Sequence, residues 1–151
     1  MLISTYCINT SFMLYFLYMI YKQFKVRVWG RGNKDYYQVM VFDTKLAMKQ
    51  NFQHIGVYDE FEAITHTFQA SKMNGKGKVS KMPCAGIIAF YKDNIKPHVI
   101  SHEMTHAVNH YFKNNGVGFD LGRQNKDWLK KDEMHATMQG ELVKQFYEQY
   151  K

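Results

Sequence analysis

From Phe24 to Val41 apolar and polar positions alternate. Phe24, Val26 and Val28 interleave with Lys25, Arg27 and Trp29, and after Gly30 to Asp35 the alternation resumes at Tyr37, Val39 and Val41. A period of two places one set on a buried sheet face, and the glycine-bearing break between the runs predicts a hairpin. Asp43 is placed to cap a short helix through Leu46, Ala47, Gln50 and Asn51, and Phe61 to Phe68, with Thr65 and Thr67, reads as a further strand. Cys84 to Tyr91 is a near-continuous apolar run ending at Lys92-Asp93-Asn94. Such a run is expected of an inner strand.

Beyond this run the period becomes helical. Pro97 suits the first position of a helix, and Ile100, Met104, Ala107, Val108 and Tyr111 make an apolar stripe that stops at Asn114-Asn115-Gly116. A second helix is expected from about Asp132, with Leu142, Val143, Phe146 and Tyr150 as its core contacts. Strands first and the main helices last predict an α+β domain, an N-terminal antiparallel or mixed sheet followed by two helices. The chain's 151 residues suffice for one such domain, expected over 24–151, and no internal repeat is apparent.

Residues 1–23 read as a separate apolar segment, either a packed helix or a weak anchor. The first 21 carry no charge, but Ser4, Thr5, Asn9, Thr10 and Ser11 leave an apolar core short of the roughly 20 residues a spanning helix needs. A start at Met13 or Met19 is a third reading. No membrane span is expected, and without a basic n-region neither is a cleaved signal peptide. Cys7 and Cys84 are too far apart in sequence for a Cys-x-x-Cys unit, and Cys84 sits in an apolar strand, the usual home of an inert thiol. A cytoplasmic protein is the expectation.

Chemistry concentrates in His102-Glu103-Met104-Thr105-His106, at the border of the first helix's apolar stripe. Residues four apart lie one turn apart on one helix face, so both imidazoles can reach one tetrahedral ion, and Glu103 beside them can take a proton from a metal-activated water. With seven His in the chain, shuffling yields this pattern in only about one sequence in a hundred, which makes chance a weak rival. A hydrolytic zinc site needs a third protein ligand and an open fourth position. His110 lies too far along the helix to share the ion, about 12 Å from His102 at 1.5 Å per residue. Glu133 is the better candidate, with Asp132 and His135 as substitutes, because Glu133, Ala136, Thr137 and Gly140 share one face whose small residues would allow close helix approach.

Cys84 to Tyr150, through His102, Glu103, His106 and then Glu133 with Ala136 behind it, resembles the zincin metallopeptidases and among them the gluzincins. It is also similar to small zinc peptidases of this type predicted in bacteria and phages. The metzincin pattern does not fit, since Phe112 and Asn109 stand where its third histidine and its glycine would fall. The gluzincin resemblance implies a zinc ion held by His102, His106 and Glu133, with Glu103 as general base and a peptide or protein as substrate. It also implies that the strand upstream of the metal helix, here Cys84 to Tyr91, pairs with extended substrate. The 26 residues between His106 and Glu133 make a longer connection than a compact gluzincin needs.

The net charge of +7 raises the question of an acidic partner. Much of the excess lies in Lys22 to Lys34 and in Lys72 to Lys81, the second reading as a mobile basic loop without P-loop spacing. The aromatic residues are spread through the chain and suit a core, so nucleic acid is not the expected target. Two rivals to a zinc peptidase remain: a non-catalytic zincin-like binding or regulatory protein, and a basic nucleic-acid-associated protein with an incidental HExxH.

Overall fold

The computed structural model describes residues 20–29, 34–52, 61–67, 71–73, 79–81, 83–115 and 126–151. β1 (Ile20–Arg27) and β2 (Tyr36–Phe42) form the expected antiparallel hairpin, with Phe24 opposite Val39 and Val26 opposite Tyr37. Because β1 begins at Ile20, the boundary expected after residue 23 falls inside a strand. The rest of the N-terminal segment, with the helix or anchor expected there, lies outside the described residues.

α1 (Lys45–Phe52) is the predicted short helix, but its cap differs from expectation. Thr44 Oγ1 accepts the Ala47 N–H at 3.1 Å, while Asp43 pairs with Lys92 Nζ at 2.7 Å. Thr44 directly precedes the first helical residue, which places its hydroxyl over the third free amide. β3 (Ile64–Thr67) is shorter than the run that predicts it. β4 (Ser71–Met73) and β5 (Val79–Lys81) pair antiparallel in a sheet of their own, so the ends of the basic segment expected as a loop are strands. β6 (Cys84–Tyr91) follows, then α2 (Pro97–Asn114) and α3 (Lys126–Tyr150).

The main sheet runs β1-β2-β6-β3 and is mixed: β6 is parallel to β2 and antiparallel to β3. β6 is therefore an inner strand, as its apolar run predicts, and the strand edge beside α2 belongs to β3. The substrate pairing expected along Cys84 to Tyr91 has no free edge at Gly86 to Ala89, where β2 flanks the strand on one side and β3 on the other. The fold is α+β.

Alternation along the strands sends side chains to two cores. Tyr37, Val39, Val41, Ile88 and Phe90 meet α2 and α3 on one face, against Ile100, Met104, Val108, Leu142 and Phe146. On the other face Phe42, Ala89 and Ile64 pack on Met48 and Phe52 of α1. Phe146 sits edge-on to Phe24 and Phe90 with ring centroids 5.4 and 5.2 Å away, joining α3 to β1 and β6. A fully buried side chain of this kind contributes about 1.5–3 kcal/mol through area removed from water alone.

Two details fix α2 and β3 on the sheet. Tyr37, wholly buried, donates its hydroxyl to Ala107 O at 2.8 Å, and that burial, helped by Tyr111, pushes its ionisation well above the ordinary phenol range. Gly86 lets β3 lie close to β6. A Cβ there would stand 2.4 Å from His66 O and 2.9 Å from Thr67 Cα, inside contact distance. Among the described residues no helix is long and apolar enough to cross a membrane.

Candidate metal centre

α2 begins as its sequence dictates. Lys96 is held extended (φ −116°, ψ 145°) by the proline that follows, and Pro97 opens the helix. Val99, Ile100, Met104, Ala107, Val108 and Phe112 turn to the core, which leaves His102 and His106 exposed and draws Glu103 inward. The two imidazoles stand edge to face at 87°, with Nε2 atoms 3.1 Å apart. At that distance one nitrogen donates to the other's lone pair, the tautomers deciding which.

The same approach suits a metal. Two nitrogens bound tetrahedrally at 2.0–2.1 Å from zinc are about 3.3 Å apart. His102 and His106 thus already have nearly the separation that two zinc ligands adopt, with both rings turned to the same open side of the helix.

Glu103 is 5% exposed, a rare position for a carboxylate that lacks a partner. Its partner is Thr65 of β3, whose hydroxyl donates to Glu103 Oε2 at 2.5 Å and also lies 3.1 Å from Glu103 O. Thr65 is thus a positioning residue that sequence reasoning used only as a mark of strand propensity. Beside this pair opens a cleft of about 470 Å³ lined by Phe61, Glu62, Ala63, His98, Val99, His102 and Glu103. Its wall is fixed by Asn94, buried in the turn before α2, which donates to Glu62 O at 2.8 Å.

The expected third ligand does not join the site. Glu133, Ala136, Thr137 and Gly140 all lie exposed, and a Cβ on Gly140 would meet nothing within 4 Å. The face expected to approach α2 instead looks outward. The reason is area: Met138 and Leu142 are fully buried with Met134 packed beside them, and this apolar stripe sets the roll of α3. Contact with α2 is made by Gln139, which donates to Ser101 Oγ at 3.0 Å, and by His135, whose Nε2 is 2.8 Å from Asn109 Oδ1. Burial lowers the pKa of His135, opposed by Asp132, while Asp132 itself is exposed. Among the described residues no three His, Cys, Asp or Glu side chains stand close enough to hold one ion.

The residues present therefore fit two zinc ligands and a carboxylate beside them, and leave the third protein ligand unassembled. Cys84, on β6, is a free half-buried thiol. Comparison with protein-family models, with curated proteins and with solved structures gives no match.

Proposed function

We propose that this chain is a zinc-dependent peptidase in which His102 and His106 hold the ion and Glu103 is the general base. The observation that carries the reading is the convergence of the two Nε2 atoms at 3.1 Å beside a buried carboxylate on the rim of a cleft. Zinc, when bound, supplies Lewis-acid polarisation of a carbonyl and acidifies water. The chain's own residues do the rest. Thr65 holds Glu103 facing the cleft, Glu103 takes the proton of the attacking water, and the same carboxyl passes it to the departing amine. An extended peptide would lie along β3, the edge strand nearest Glu103, using main-chain hydrogen bonds for affinity and the cleft for a side chain.

For the third ligand the packing favours His135, which faces α2, over Glu133, which faces away. Zinc affinity measured for His135→Ala and Glu133→Ala decides between them. Loss confined to the Glu133 variant would mean that α3 rolls about its axis when metal binds.

The direct test of the function is Glu103→Gln, which keeps the size of the side chain and removes its basicity. Hydrolysis of a mixed peptide library should fall by about 10²- to 10⁴-fold, the usual share of general-base catalysis, with zinc content unchanged. Cleavage at the wild-type rate would remove Glu103 from the mechanism. The double variant His102→Ala/His106→Ala should lose stoichiometric zinc. The unassembled third ligand favours a second reading, a zincin-like binding protein without catalysis, and zinc binding with no cleavage across a broad library would establish it.

A further inference from the structure

Four of the chain's seven histidines stand in one row on α2: His98, His102, His106 and His110, each four residues after the last. Four-residue spacing stacks side chains on successive turns with Cβ atoms about 5–6 Å apart, close enough for two imidazoles to share an ion. The middle pair displays what the spacing permits, its Nε2 atoms meeting at 3.1 Å. The end pairs have the same backbone relation. His98 lines the same cleft as His102, and His110 follows His106 one turn further along α2. His98, His102 and His106 are exposed and His110 half-buried, so solvent ions reach most of the row.

We propose that in excess zinc, or another transition ion that favours imidazole, the end pairs His98/His102 and His106/His110 each bind one ion in place of the single ion at the centre. The exclusion is geometric. Each end pair uses one histidine of the central pair, so the row holds one ion in the middle or two at the ends. Each end ion has two protein ligands and completes its shell with water, so it binds more weakly than a site with three. The two-ion form dismantles the central pair, and excess metal would therefore switch the chain off; that consequence rests on the peptidase reading, whereas the binding does not.

The test is equilibrium dialysis of the full chain against Zn2+ or Co2+ alone, with metal analysis of the retained protein. Wild type should hold about one ion at stoichiometric metal and about two in excess, while His98→Ala and His110→Ala should each stop at about one, since the pairs left to them overlap. His98 is exposed, so its variant carries the test even where substitution of half-buried His110 disturbs the fold. His102→Ala should keep one weakly held ion that disappears in His102→Ala/His110→Ala. Saturation of wild type at one ion, unchanged by His98→Ala, overturns the end sites and leaves the central site standing. A second ion that survives His98→Ala and His110→Ala alike overturns them too, and a wild type that binds no ion overturns both readings.

Discussion

The two edges of the main sheet are treated in opposite ways. At the β1 edge α3 takes the part of a missing strand: Gln145 Oε1 accepts the Arg27 N–H at 2.8 Å, Gln145 Nε2 donates to Arg27 O at 2.9 Å, and Gln149 Nε2 donates to Lys25 O at 2.6 Å. A glutamine amide carries the same donor and acceptor as a peptide group, and residues 25 and 27 are alternate positions whose backbone groups face outward from the ladder. Lys22 adds bonds to the carbonyls of Tyr150 and Lys151 at 3.0 and 2.7 Å. At the β3 edge no further strand pairs among the described residues, and the strand is anchored from one face through Thr65 and Glu103. Unpaired edges invite unwanted pairing, so proteins cover them or keep them short. Here the covered edge is eight residues long, and the other is four residues long and borders the candidate site.

If α3 is what closes the β1 edge, its removal from the sheet should cost the most. Phe146→Ala deletes the ring that packs on both Phe24 and Phe90, and a loss of about 3–5 kcal/mol in unfolding free energy is expected from denaturant melts. A loss below about 1 kcal/mol would mean that α3 is not seated as described. Gln145→Leu tests the seal itself. Gln145 is 3% exposed, and the change strips Arg27 of both amide partners, so about 2–3 kcal/mol should be lost together with a concentration-dependent gain in self-association. Equal loss without association would make Gln145 a local tie and not an edge cap.

How much of this contrast the sequence disclosed follows from the range of each interaction. The helix α2 was legible because its signals are local: Pro97, the stripe from Ile100 to Tyr111 and the four-residue histidine spacing all act within a few turns. The hairpin and the inner character of β6 were legible for the same reason. The roll of α3 differs from the one its small residues suggest, because Met134, Met138, Leu142 and Phe146 recur every four residues and bury far more area. The cap of α1 fell on Thr44 one residue after Asp43, a distinction decided by where the first helical turn starts. The partner of Glu103 could not be read at all, since Thr65 lies 38 residues away and meets it only once β3 has paired with β6. The same holds for Gln145 and Arg27, 118 residues apart.

The smallest expected effect belongs to the β3 edge, and it probes the bond that ties that edge to the site. Thr65→Val keeps shape and strand propensity and removes the hydroxyl that Glu103 accepts from. A bond to a buried charged group is worth about 1.5–3 kcal/mol, but Thr65 is half-buried and water can take the hydroxyl's place, so a net loss of about 1 kcal/mol is expected. Stability alone does not separate this bond from the neighbouring contact with Glu103 O. A double-mutant cycle with Glu103→Ala does, because only the side-chain bond disappears in both single variants. Coupling of about 0.5 kcal/mol or more, restored to wild-type stability by Thr65→Ser, supports a positioning role. Strict additivity would mean that β3 is held by its ladder to β6 alone, and the two sheet edges would then differ in cover but not in any link to the site.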